Sequence, residues 1–108
     1  MKYKLLCRSG LRVSELCLGT MTFGEDWGWG GSAEDSRQMF DAFAKAGGNF
    51  IDTANLYTKG TSEKIVGDLI AADRDRWVVA TKYSIARGSS GRWSEMRRAM
   101  LGSTGKWA

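Results

Sequence analysis

Three polar side chains in this sequence have the types and spacing for proton-transfer chemistry: Asp52, Tyr57 and Lys82. A tyrosine, with an ordinary pKa of about 10, is a reluctant acid near neutral pH. A lysine ammonium beside it favours the phenolate and makes the phenol a better proton donor. A carboxylate next to the lysine keeps that lysine charged where burial would neutralise it. Taken singly, Asp52 reads as a cap, Tyr57 as a loop anchor and Lys82 as a surface charge. The chemistry depends on the three meeting.

The elements that must bring them together are legible in the chain. Residues 3–7 and 11–13 alternate around Ser9-Gly10, which predicts a small hairpin with Leu11 and Val13 facing Tyr3, Leu5 and Cys7. Glu15 to Thr20 reads as a short buried strand, Asn49 to Asp52 as a second, and Trp77 to Thr81 as a third rich in β-forming residues. Ser32 starts a helix with Asp35 in capping-box position, and Met39, Phe40, Phe43 and Ala46 supply its apolar stripe. Gly47-Gly48 stops that helix, because glycine enters the left-handed conformation without a Cβ penalty. Ser62 caps a second helix that turns Ile65, Val66, Leu69 and Ile70 inward.

The order hairpin, β, α, β, α, β predicts an α/β architecture. Strands near 15–20, 49–53 and 77–81 lie parallel, with helices near 33–46 and 62–72 on one side. Asp52 then ends the second strand, Tyr57 sits in the loop that follows, and Lys82 ends the third. That edge of a parallel sheet is where α/β proteins keep their chemistry. Shared placement favours function over three separate bland roles.

Composition supports one globular domain: 108 residues, 43% hydrophobic and 26% charged. The formal net charge of +4 is concentrated late, where Arg87, Arg92, Arg97, Arg98 and Lys106 face only Glu95. With no aromatic-interleaved recognition motif, this reads as a solvated surface and not a nucleic-acid site. No apolar run is long enough to cross a bilayer, and Lys2 and Lys4 interrupt any leader-like stretch, which predicts a cytoplasmic protein. Cys7 and Cys17 lack metal-ligand spacing and read as small apolar residues. The absence of histidine excludes histidine-based catalysis and histidine metal sites in these residues. Beyond Lys82 the signal weakens. Arg87 to Gly91 is a loop, Trp93 to Leu101 a candidate third helix, and 86–108 reads as a divergent or poorly ordered tail.

Several segments carry a family resemblance. Ser9-Gly10-Leu11-Arg12-Val13-Ser14, Leu18-Gly19-Thr20-Met21-Thr22-Phe23-Gly24 and Asn49-Phe50-Ile51-Asp52-Thr53-Ala54-Asn55-Leu56-Tyr57 resemble aldo-keto reductase sequences. So do Gly60-Thr61-Ser62-Glu63 and Ala80-Thr81-Lys82-Tyr83, all in order between about residues 3 and 85. Members of that family are (β/α)8 barrels that reduce aldehydes and ketones with NADPH. The resemblance implies a partial (β/α)8 (TIM) barrel: the N-terminal hairpin and about the first three βα units. It implies Tyr57 as proton donor, Lys82 as the group that lowers its pKa, and Asp52 as support for Lys82. Gly19, Thr20 and Met21, with Asp52, would line the nicotinamide end of the cofactor site. The implied partner is a small carbonyl compound, with no nucleic acid, membrane or metal.

Two departures accompany the resemblance. The family's fourth catalytic residue is a histidine after the next strand, and its phosphate-binding segment lies near the C-terminus. A barrel of this type takes about 250 residues. The expectation is therefore a single incomplete domain over 1–108, truncated and inactive on its own.

Two other readings stand beside it. Gly28-Trp29-Gly30-Gly31-Ser32-Ala33 fits part of a dinucleotide-binding fingerprint, with Asp52 ending the next strand. That Rossmann-like reading fails on connection, since the fingerprint should follow its strand immediately and the strand ends near Thr20. The simpler view is a substrate-side loop in which Trp27 and Trp29 offer apolar surface. The second alternative is non-catalytic: an α/β fragment that associates with itself or a partner through an exposed sheet edge.

Overall fold

The computed structural model describes residues 1–82, in which a hairpin leads into a three-stranded parallel sheet backed by two helices. β1 (Tyr3–Leu5) and β2 (Arg12–Ser14) pair antiparallel, with Lys4 opposite Val13 and Leu5 opposite Arg12. Residues directly opposite in such a ladder share a face. Val13 therefore lies with Lys4, and the expected facing of Val13 onto Tyr3 and Leu5 is corrected. The turn sets this register, closed by the Leu6 N–H donating to the Leu11 carbonyl at 2.8 Å. Val13 is buried while Tyr3 and Leu5 stay exposed.

Asn49 fastens the hairpin to the sheet. Its side-chain oxygen accepts from the Ser14 N–H at 2.7 Å, and its amide donates to the Arg12 carbonyl at 3.0 Å. The hairpin is thus held where β4 (Phe50–Asp52) begins, and the opposite end of the sheet is left for the site.

β3 (Leu18–Gly19) and β5 (Val78–Ala80) flank β4, and both pair with it in parallel. The parallel order agrees with the sequence, but the first strand is shorter than 15–20. The Glu15 N–H donates to the Lys2 carbonyl, and the Ser14 hydroxyl donates to the Leu16 carbonyl. Up to Leu16 the chain still belongs to the hairpin.

α1 (Ala33–Lys45) has both expected ends. Ser32 and Asp35 form a reciprocal capping box, in which Ser32 Oγ accepts from the Asp35 N–H at 3.1 Å. At the other end Gly47, at φ 91°, donates to the Ala44 carbonyl, and Gly48 donates to the Phe43 carbonyl. That pair of bonds satisfies carbonyls the helix would otherwise leave open. The buried stripe is rotated from the expected one, running through Ser36, Phe40, Phe43 and Ala44, with Met39 and Ala46 outside. Ser36 is tolerated inside because its hydroxyl donates to the Ser32 carbonyl at 2.8 Å.

α2 (Thr61–Ile70) buries Val66 and Ile70, as its periodicity indicates. Its N-cap is Gly60, without a side-chain bond, so the assignment of Ser62 as cap is corrected. Ser62 lies inside the first turn and is fully buried.

Phe23, Phe40, Ile51, Val66, Ile70 and Trp77 form one core, with Leu18 and Val79 packed against it. Both helices therefore cover one side of the sheet. Leu18, Ile51 and Val79 are neighbours across the strands and face the helices. By the two-residue period of a strand, Gly19, Asp52 and Ala80 face the other way. Cys7 and Cys17, read from the sequence as small apolar residues, are both free and exposed. The expectations for 86–108, including the helix from Trp93 and the late basic cluster, lie outside the described residues.

Gly48 offers a test of this packing. A Cβ there would meet Phe43 Cζ at 2.3 Å, and the Phe43 ring is itself held against Trp77 at 6.4 Å between centroids. Gly48→Ala is expected to cost about 1–3 kcal/mol through overpacking. Thermal unfolding followed by circular dichroism should show a drop of about 4–8 °C per kcal/mol lost. An unchanged midpoint would mean that the ring swings aside freely.

Candidate active site

Lys82, two residues beyond β5, is the meeting point of the sheet edge. Its Nζ donates to Asp52 Oδ2 at 2.7 Å, to the Tyr57 hydroxyl oxygen at 3.1 Å and to the Thr53 carbonyl at 3.2 Å. The structure thus brings together all three residues that the sequence singled out for chemistry. Backbone bonds hold the approach, with the Thr53 N–H donating to the Ala80 carbonyl and the Asn55 N–H to the Lys82 carbonyl.

The Lys82 and Asp52 side chains are 50% and 37% exposed. An ion pair this open contributes only about 0–1 kcal/mol to stability. Stability alone is a weak reason for the arrangement. Exposure also corrects the expectation of a lysine in need of rescue from burial. Burial is the largest single influence and pulls the Lys82 ammonium down, but hydrogen bonds to Asp52 and Tyr57, with their charges, together hold it above the ordinary lysine range. Lys82 is therefore a fixed cation across neutral pH, placed against a phenol oxygen. Cys17 feels the same charges. Although the residue is exposed overall, its thiol is partly shielded from water, and this shielding first and Asp52 second push it up, against Lys82, which keeps it in the less nucleophilic protonated form.

Tyr57 is half-buried and opens a tight turn, Tyr57–Gly60, with an unusual backbone. Thr58 (φ 46°, ψ 42°) and Lys59 (φ 59°, ψ 29°) are both left-handed without being glycine. Such conformations cost of the order of 1–3 kcal/mol each and persist only where surroundings over-determine them. Here the surroundings are hydroxyl groups. Thr58 Oγ1 donates to the Phe23 carbonyl at 2.7 Å and accepts from the Ser62 N–H at 2.9 Å. Ser62 Oγ donates to the Thr20 carbonyl at 2.6 Å, and Thr20 Oγ1 donates to the Asp52 carbonyl at 2.9 Å. Thr20, Thr58 and Ser62 are fully buried, and no buried side-chain polar atom among the described residues lacks a partner.

Sequence reasoning missed this layer. It gave Ser62 only a capping role and Thr58 none. The available signal was the density of hydroxyl residues, with Thr20 and Thr53 immediately after strand ends and Thr58, Thr61 and Ser62 in the turn and first helical turn that follow.

Gly19, Thr20 and Met21 separate into two environments. Gly19 has open space where a Cβ would be, and Met21 is 47% exposed. Thr20 is turned inward to Asp52 and Ser62, so it meets a ligand only through its neighbours. The glycine-rich loop is explained by its own closure. Gly24 donates to the Gly31 carbonyl, Gly31 donates to the Thr22 carbonyl, and a Cβ on Gly30 would lie 2.3 Å from the Gly24 carbonyl oxygen. Trp27 and Trp29 lie against each other at its tip, 5.4 Å between centroids with the rings tilted by 39°. Among the described residues there is no candidate metal cluster and no helix long and apolar enough to cross a membrane.

Similarity to known proteins decides the family. The model of the aldo/keto reductase family matches residues 15–105. The chain belongs to the aldo/keto reductase family. It is 49% identical over 89 residues to aryl-alcohol dehydrogenase (NADP+) of Phanerodontia chrysosporium, an overlap of 75% of this chain and 23% of that protein. It is 49% identical over 82 residues to norsolorinic acid reductase of Aspergillus flavus, 71% of this chain and 21% of that protein. Among solved structures, an aldo-keto reductase from Bacillus halodurans in its holo form superposes with a TM-score of 0.69 at 33% identity, covering 86% of this chain and 29% of that one. The chain thus spans about a fifth to a quarter of these curated relatives' length. Its hairpin and parallel βα units are the fold of a partial (β/α)8 barrel, which displaces the Rossmann-like reading.

Proposed function

We propose that these residues supply the proton-donating side of an NADPH-dependent carbonyl reductase. The observation that carries the reading is the Lys82 ammonium bonded at once to Asp52 and to the Tyr57 oxygen. Tyr57 donates its proton to the carbonyl oxygen of an aldehyde or ketone. Lys82 stabilises the negative charge that develops on the phenol oxygen, and Asp52 holds Lys82 in place and charged. When bound, the dihydronicotinamide supplies the hydride that completes the alcohol. Gly19, without a side chain and facing open space, leaves room for a flat ring, with Met21 and Asp52 beside it. Thr20 supports that wall from behind. The substrate is a small carbonyl compound, and a cytoplasmic setting suits the NADPH pool. The 108 residues by themselves fall short of turnover, for reasons of closure.

Lys82→Met tests the reading in an active protein carrying this segment. It is expected to lower kcat about 10²-fold or more while NADPH binding, read by fluorescence, persists. Unchanged turnover would remove Lys82, and with it the bridge, from the mechanism.

A further inference from the structure

The turn that presents Tyr57 is held open by one buried hydroxyl. We infer that Thr58 is the positioning residue for Tyr57: its side chain locks the left-handed backbone that brings the phenol to Lys82. The inference rests on the reading of Tyr57 as proton donor and assigns a role to a residue that does not itself reach the reacting atoms.

Three observations carry it. A threonine has a poor intrinsic claim to this conformation, since a branched Cβ crowds the left-handed backbone and glycine or asparagine would suit it better. The turn nevertheless places Thr58 and Lys59 left-handed in succession, directly after Tyr57. Second, Thr58 is 0% exposed and both hydrogen-bonding capacities of its hydroxyl are used. One bond reaches the Phe23 carbonyl at the root of the β3–α1 loop, and the other the first turn of α2. The hydroxyl is thus a cross-tie between two separate segments. Third, the fit is close on the far side. A Cβ on Gly24 would lie 2.8 Å from Thr58 Oγ1, so Gly24 is bare where the threonine sits.

The chain of contact runs on to the rest of the site. Thr58 is tied to Ser62, Ser62 to Thr20, and Thr20 to the carbonyl of Asp52. The same strand-end layer therefore fixes the backbones of Asp52 and Tyr57 relative to each other. Without the tie, the turn relaxes toward ordinary right-handed geometry and Tyr57 swings from Lys82. A misplacement of about 1 Å at a reacting group can cost about 10²-fold in rate.

The test reads Lys82, because its titration reports whether Tyr57 is in place. The groups bearing on it among the described residues are Asp52 and Tyr57 directly, with the Cys17 thiol coupled to it through charge. The Lys82 ε-methylene shift is followed by NMR against pH in the wild type, Tyr57→Phe, Thr58→Val, Thr58→Gly and Thr58→Ser. Thr58→Val keeps the branched Cβ and loses the hydroxyl, whereas Thr58→Gly loses both the hydroxyl and the Cβ that makes the left-handed turn costly. Thr58→Val is expected to lower the Lys82 midpoint as far as Tyr57→Phe does, and Thr58→Gly to stay near the wild type. Thr58→Val should not lower it further in the Tyr57→Phe background. Thr58→Ser, which keeps the hydroxyl, should restore the wild-type midpoint. A folded Thr58→Val protein with the wild-type Lys82 midpoint overturns the inference, as does a Thr58→Ser or Thr58→Gly protein whose midpoint falls as far as that of Tyr57→Phe. Turnover separates this from the underlying reading. Tyr57→Phe with full activity would sink the proton-donor role while leaving the Lys82 titration result standing.

Discussion

Tyr57→Phe is expected to lower kcat for carbonyl reduction by about 10²–10⁴-fold in an active protein carrying this segment, the range a positioned general acid contributes. The substitution removes one oxygen and leaves the ring, so the turn and its hydroxyl ties stay. What disappears is the proposed proton donor and the acceptor that Lys82 bonds at 3.1 Å. Nothing else among the described contacts of Lys82 can take over, since Asp52 at 2.7 Å is a carboxylate acceptor and the Thr53 carbonyl has no proton to give. Nucleotide affinity should hold, because the role proposed for the phenol is at the substrate oxygen. Stopped-flow and steady-state NADPH oxidation with a reactive aldehyde separate the two. A fall in kcat with nucleotide Kd unchanged is the mark of an interaction made in the transition state. Retained turnover would assign the proton to another donor.

The site was legible because its parts obey simple placement. Asp52 ends one short β-rich run and Lys82 follows another, and the ends of parallel strands gather whatever polar residues occupy them. The helix ends were legible for the same local reason: Ser32 with Asp35, and Gly47-Gly48, each satisfy orphan backbone groups within a few residues. What was not legible depends on partners far along the chain. The buried stripe of α1 is set by where Phe40 meets Trp77, 4.7 Å between ring centroids, and not by maximal hydrophobicity of the helix itself. That is why Ser36 is inside and Met39 outside. Ser62 carries the residue type of a helix cap, yet its hydroxyl is claimed by Thr20, 42 positions away. Thr58 gave no signal at all. A left-handed threonine contradicts local preference, and only the tertiary bonds to Phe23 and Ser62 make it the stable choice.

The 108 residues tested by themselves are expected to show no saturable NADPH oxidation with a reactive aldehyde such as a nitrobenzaldehyde. The parallel sheet of the described residues has three strands, in the order β3-β4-β5, and a closed barrel of this type needs eight. Asp52 therefore faces outward from a sheet whose opposite wall is not supplied by residues 1–82, and the Lys82–Asp52 pair lies open to water. Water weakens the electrostatic help that Lys82 gives to Tyr57, since the same charges interact several-fold more strongly when solvent is excluded. Orientation suffers as well. The sequence contains no histidine, whereas the family resemblance calls for one to orient the carbonyl after the next strand. Each loss acts on the same transition state, so the combined rate is expected to fall to background. Size-exclusion chromatography run beside the assay distinguishes the non-catalytic alternative: an oligomer without turnover fits pairing through the outer edges of β3 and β5, which no other strand of the described residues covers. Saturable oxidation that vanishes in Tyr57→Phe would show instead that these residues complete a working site among themselves.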